Sequence, residues 1–238
     1  MAHLGRMNIE QMSKENQLKH YRKLIQEFYP ALGSYFRQQF PSPQNFFKAR
    51  SAYIKSTSVW SIVGYIMGLG DRHGENILID VCSGETFHVD CNLLFNKGET
   101  LNVPETIPFR LTHNMIDAMG VLGIEGPFRK SCEVILRVLQ KEKRTLLAYV
   151  RPIIYDTQKK STPEMNRREL GRQTNELMEL SNVQKIQRVE MRLNGIVQKY
   201  RGSSGIPLST EGQVNFLIKE ATSEENLAAM YRGWLPWM

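Results

Sequence analysis

Residues 68 to 90 read GLGDRHGENILIDVCSGETFHVD, and this run decides the fold. Its apolar part has the pattern of a β-hairpin. ENILID ends at Asp80, VCSG supplies a turn, and ETFHVD runs from Glu85 to Asp90. Ile77 and Ile79 share one face of the first strand with Leu78 on the other, and Phe87 and Val89 alternate on the second. If Asp80 faces Glu85, Asn76 falls opposite Val89 and next to Asp90. The polar residues therefore converge at the open end of the hairpin, with Asp71, Arg72 and His73 just ahead of it.

Helical patterns flank this hairpin. Leu18, Tyr21, Leu24, Ile25 and Phe28 recur at helical spacing up to Pro30, and Tyr35, Phe36 and Phe40 mark a second short helix ended by the Pro-Ser-Pro at 41 to 43. The small, apolar run from Ser51 to Leu69 suits a helix buried on most sides. After Asp90 comes an irregular stretch broken by prolines, the length of a functional loop, and a helical region opens at His113. Phe128 to Val150 is helical in period, residues 156 to 174 read as a polar linker, and Val183, Ile186, Val189, Leu193, Ile196 and Tyr200 form one amphipathic stripe. That stripe is too short for an intermolecular coiled coil, so it is expected to pack on its own domain. In the last 33 residues, Thr210 and Gln213 suggest a capping box, Ser223 caps a second short helix stopped near Gly233, and the aromatic tail ends Trp234-Leu235-Pro236-Trp237-Met238.

The chain has 238 residues with 41% apolar and 23% charged residues, which is globular composition. No apolar run reaches the ~20 residues of a membrane span, and the opening residues lack the apolar core of a secretory signal. Cys82, Cys91 and Cys132 have neither disulfide-framework nor zinc-ribbon spacing, which points to a reducing compartment, cytosol or nucleus. The net charge of +7 is concentrated between Arg137 and Arg172, where ten basic residues meet four acidic ones. Without interleaved aromatics to stack bases, that stretch reads as a solvated helix end and linker rather than a nucleic-acid surface.

Phosphoryl transfer needs a carboxylate near the nucleophile and metal ions held by hard oxygens against the phosphates. Asp71, Asn76 five residues later, and Asp90 fourteen residues after that supply such a set. Singly, each has a plain structural role: a helix-end turn for Asp71, a satisfied polar group for His73, a strand-start cap for Asn76. Together, so many polar groups beside an apolar hairpin are a poor structural choice unless they have partners.

The run Gly70-Asp71-Arg72-His73-Gly74-Glu75-Asn76 resembles the catalytic loop of the phosphatidylinositol 3-kinase-related protein kinase family, with Asp-Arg-His in reverse order to the His-Arg-Asp of ordinary protein kinases. His88-Val89-Asp90 is similar to its metal-binding segment, residues up to Pro108-Phe109-Arg110-Leu111-Thr112 to its activation loop, and Ile206 to Met238 to its FATC domain. Finer features, FNKGET, IPFRLTHNM and the tail MYRGWLPWM, look most like its replication-stress checkpoint members. The resemblance implies a mainly α fold with a small β-hairpin: a kinase large lobe over residues 1–155 (catalytic loop 69–77, activation loop 90–113), a basic linker and amphipathic helix over 156–205, and a helical FATC domain over 206–238. It implies that Asp71 accepts the substrate hydroxyl proton, His73 stabilises the transferring phosphoryl group and Arg72 orients the loop. Asn76 and Asp90 would hold Mg²⁺ against ATP. It further implies Ser/Thr protein substrates, regulatory partner proteins and a nuclear location.

Two features depart from the family pattern. Cys91 stands where phenylalanine is expected, and the sequence includes no glycine-rich phosphate loop and no strand-borne lysine. The second departure raises a reading of another class, a truncated, catalytically inactive product that binds proteins through its large-lobe and FATC surfaces.

Overall fold

The computed structural model describes residues 13–161, 172–197 and 206–238. Helices α1 (Lys14–Glu27) and α2 (Leu32–Gln39) lead into the long α3 (Pro43–Met67), followed by strands β1 (Ile77–Ile79) and β2 (Thr86–His88). After the loop from Asp90 come α4 (His113–Ala118), α5 (Pro127–Lys141), α6 (Lys143–Ser161), α7 (Arg172–Leu193), α8 (Thr210–Ala221) and α9 (Glu224–Ala228). The mainly helical reading with one hairpin holds.

Helix α3 is the axis of the fold. Tyr53, Ile54, Ile62 and Ile66 are buried on it and share the core with Phe128, Cys132 and Leu136 of α5. Small polar residues let it be enclosed: Ser58 is fully buried and returns its hydroxyl to the Ile54 carbonyl at 2.7 Å. The helix starts earlier than the sequence pattern suggests, because Pro43 lacks only an N–H that a first turn leaves unbonded anyway. It ends at Gly68 in the left-handed region (φ 62), where a Cβ would lie 2.5 Å from the Asn96 side-chain oxygen. The chain thus turns sharply into residues 69 to 77.

The hairpin register is as the alternation implies. Ile77 faces His88, Leu78 faces Phe87 and Ile79 faces Thr86, with Asp80 and Glu85 bonded across the turn. Trp60 and Ser56 of α3 hold β2 through the Thr86 carbonyl and amide, at 3.0 and 2.9 Å. The inner face is anchored in this way, while Leu78 and Phe87 form an exposed pair on the outer face.

Several boundaries differ from the sequence reading. The stretch 128–150 is two helices, broken at Glu142, and α6 runs on through Pro152 to Ser161, into what composition reads as linker. Helix α7 likewise begins at Arg172. Val189 and Leu193 on α7 are buried in the main core, so the stripe packs on its own domain; Tyr200, Arg167 and Arg168 lie outside the described residues. The α8 cap is Ser209 rather than Thr210, whose hydroxyl instead donates to Gln140 of α5, while the Gln213 amide donates to the Arg192 carbonyl. Ser223 caps α9 as expected, but α9 stops at Ala228, well short of Gly233.

The C-terminal unit closes over the loop that follows β2. Tyr21 of α1, Leu227 of α9 and Trp237 form a second small core, with Ile107 of the loop packed on it. Thr106 donates to the Asn226 carbonyl at 3.0 Å. The buried Arg110 guanidinium donates to the carbonyls of Trp234, Leu235 and Met238 at 2.7, 3.0 and 2.9 Å, and lies 4.4 Å above the Trp234 ring. Burial pulls its pKa down to about 10, so it still carries its charge at neutral pH.

Each hydrogen bond to such a charged donor is worth ~1.5–3 kcal/mol, so losing even one speeds local opening by about tenfold or more. Deletion of residues 234–238, or Arg110→Met, is expected to raise amide hydrogen exchange in residues 90–112. Unchanged exchange in that loop would refute the role of the tail as its anchor.

Candidate active site

Arg72 is the keystone of the site. Its side chain is buried, and its guanidinium donates to the Gly70 carbonyl at 2.8 Å, to Val89 at 2.7 Å and to Asp90. One rigid donor fork thus joins the loop before β1 to the end of β2. Burial lowers the Arg72 pKa, and the neighbouring Cys91, Asp71, Asp90 and Glu105 oppose that shift.

Asp71 and Asp90 both have left-handed backbones, φ 58 and 52. Such geometry is uncommon for a residue with a side chain and needs support from its surroundings. At Asp71 the support is double. Its N–H donates to Glu105 Oε1 at 2.6 Å, and its carbonyl accepts the Asn76 side-chain amide at 2.7 Å. The Asn76 nitrogen is thereby committed to the loop, and its oxygen is the atom a cation can use. At Asp90, the Asn92 amide holds one carboxylate oxygen.

The structure brings the five sequence-selected residues into one place. The bond from Val89 N–H to the Asn76 carbonyl at 3.1 Å pairs Asn76 with the residue just before Asp90. His73 Nε2 lies 3.8 Å from Asp71 Oδ2, and His73 Nδ1 accepts the Glu75 N–H at 3.3 Å. Because Nδ1 accepts, a neutral ring carries its proton on Nε2, the atom that faces Asp71. His88 stacks flat on Trp60, with centroids 4.5 Å apart, and burial with the Arg72 charge pushes its pKa down to about 4, so it is neutral.

An amide oxygen and an exposed carboxylate are hard donors that fit Mg²⁺, which keeps its other positions for phosphate and water. Among the described residues no group of three or more His, Cys, Asp or Glu side chains gathers as a metal centre. Asn76 and Asp90 contribute one amide oxygen and one carboxylate to the site, next to the carboxylates of Asp71 and Glu105. Cys91 is exposed, and the neighbouring core residue of the segment is Phe95, buried in the main core.

Sequence reasoning missed Glu105. Its carboxylate is partly buried beside Asp71 and Arg72, and burial raises its pKa. No residue pattern marks it, because the bond it makes to Asp71 is to a backbone amide.

Residues 4–160 match the family of phosphatidylinositol 3- and 4-kinases, and residues 207–238 match the FATC domain. Among curated relatives, the serine/threonine-protein kinase ATR of Drosophila melanogaster is 49% identical over 214 residues, 90% of this chain and 8% of its own length. Protein kinase rad3 of Schizosaccharomyces pombe is 42% identical over 218 residues, again 90% of this chain and 8% of its own. A solved structure, the FAT and kinase domain of CtTel1, superposes with a TM-score of 0.77 at 34% identity, covering 97% of this chain and 15% of that one. The chain spans only 8% of the length of those curated relatives. The kinase-family match over residues 4–160 and the FATC match at the end of the chain together show that the chain belongs to the phosphatidylinositol 3-kinase-related protein kinase family.

Proposed function

We propose that this chain is the large lobe and FATC end of an ATR-like protein serine/threonine kinase that transfers the ATP γ-phosphate to Ser/Thr of protein substrates in DNA-damage and replication-stress checkpoint signalling. The observation that carries this reading is the Arg72 fork on the carbonyls of Gly70, Val89 and Asp90, with Asn76 bonded to the Asp71 carbonyl and paired with Val89 beside it. Asp71 accepts the hydroxyl proton of the substrate side chain, and His73, beside it, stabilises the transferring phosphoryl group. Asn76 and Asp90 hold Mg²⁺. When bound, the ion neutralises phosphate charge, which lowers the barrier to transfer. The outer face of the hairpin, with exposed Leu78, Phe87 and Val89, gives the nucleotide base an apolar surface beside Asp90.

Resemblance to the checkpoint kinases supports a nuclear location, a Gln following the phosphorylated residue, and a regulatory partner of the type named ATR-interacting protein. No helix among the described residues is long and apolar enough to cross a membrane. The 238 residues contain no glycine-rich loop or strand-borne lysine for the phosphates. That observation favours the second reading for the chain acting alone, an interaction module without turnover.

In the full-length parent, Asp71→Asn is the cleaner test of the base, because Asn tolerates the left-handed backbone that Ala resists. It is expected to lower kcat by about 10²–10⁴-fold at unchanged protein level. Wild-type kcat in that variant would end the catalytic reading. For the 238-residue chain alone, calorimetric titration with Mg-ATP is expected to give little or no heat of binding, whereas micromolar affinity would show that the phosphate clamp of the small lobe is dispensable.

A further inference from the structure

The loop that follows β2 reaches back to the catalytic loop at Asp90, at Leu93, whose carbonyl accepts the Gly70 N–H at 2.8 Å, and farther along at Glu105. Glu105 Oε1 accepts the Asp71 N–H at 2.6 Å, a short bond between a carboxylate and a neutral amide. The Glu105 N–H in turn donates to the Gly98 carbonyl at 3.2 Å, which fixes where the side chain begins. Two glycines clear its path. A Cβ on Gly70 would stand 2.5 Å from Glu105 Oε2, and one on Gly98 would stand closer still. Neither glycine has a positive φ, so what a side chain at these positions would displace is the Glu105 carboxylate itself.

A carboxylate is a costly choice at this position unless the bond it makes is needed. Glu105 sits partly buried beside the Asp71 carboxylate, which repels it, and is offset by the Arg72 guanidinium and by the Asp71 amide. A residue wanted only for packing would be apolar. What Glu105 supplies is an acceptor for the N–H of the left-handed Asp71. Thr106, the next residue, donates to the Asn226 carbonyl of α9, so the same strip of loop is held from the C-terminal unit and holds Asp71 in turn.

We propose that Glu105 is a positioning residue for phosphoryl transfer: by accepting the Asp71 N–H it sets the backbone of the base, and so makes the aim of the Asp71 carboxylate depend on an ordered loop. This proposal rests on the reading of Asp71 as the base. Misplacement of a reacting group by ~1 Å costs on the order of 10²-fold in rate, which sets the scale of the effect.

The test uses the full-length parent kinase and three variants, Glu105→Met, Glu105→Gln and Asp71→Asn, with kcat and KM for ATP measured for each. Met fills the space without accepting a hydrogen bond, and Gln keeps an acceptor oxygen. Glu105→Met is expected to lower kcat by about 10²-fold with KM for ATP unchanged, and Glu105→Gln to restore kcat to within about threefold of wild type. The unfolding temperature of Glu105→Gln checks that the fold is intact, so a poorly folding Met variant does not decide the outcome alone. Wild-type kcat in Glu105→Met, or a Gln variant that folds normally yet is as impaired as Met, overturns the proposal. If Asp71→Asn is inactive while Glu105→Met is normal, the positioning role fails and the base stands. If Asp71→Asn is itself fully active, the reading beneath the proposal fails.

Discussion

A buried arginine bonded to three backbone carbonyls is the constraint on which the site depends. Arg72 cannot leave its charge unpaired in the interior, and Gly70, Val89 and Asp90 are the acceptors that satisfy it. Those three carbonyls lie on two segments about twenty residues apart in sequence. Satisfying one guanidinium therefore forces the loop of Asp71 against the end of the hairpin. Arg rather than Lys suits this task, since a planar fork can address several carbonyls at once and holds its direction.

The same device recurs at the C-terminal unit. Arg110 also spends its donors on three carbonyls, those of Trp234, Leu235 and Met238, and covers the Trp234 ring. Between these two arginines runs the loop from Asp90 to Thr112, irregular in backbone and poor in its own secondary structure. Its order comes from its ends, from main-chain bonds that tie Leu93, Phe95 and Asn96 to residues 67–70, and from side-chain contacts such as Glu105 to Asp71 and Thr106 to α9. Arg188 of α7 adds another, pairing with Glu99 at 3.0 Å near the start of the loop. A segment held this way responds as a unit to changes in any of its anchors.

The sequence made some of this legible and hid the rest for identifiable reasons. The hairpin register could be read because strict alternation and a turn of fixed length agree, and a slip of one residue would reverse every face. Docking of the aromatic tail near the loop could be anticipated because Trp234 and Trp237 need burial. The arginine and glutamate latches could not, because their partners are backbone atoms, which leave no residue pattern. Thr210 and Gln213 imitate a capping box but serve α5 and α7 instead, so a local signal was overridden by tertiary bonds. The break at Glu142 carries no glycine or proline, and Pro152 is carried within α6, so composition misplaced both the break and the extent of that helix.

The central claim is that the hairpin brings Asn76 and Asp90 together as joint ligands of one divalent ion. Electron paramagnetic resonance of Mn²⁺ with a non-hydrolysable ATP analogue, on the full-length parent kinase, tests it most directly. The account predicts one tightly held Mn²⁺ that is weakened by Asn76→Ala and by Asp90→Ala separately, with the double variant little worse than Asp90→Ala alone, as expected for groups that share a ligand. Undiminished Mn²⁺ binding in Asp90→Ala, or two losses that simply add, would contradict it.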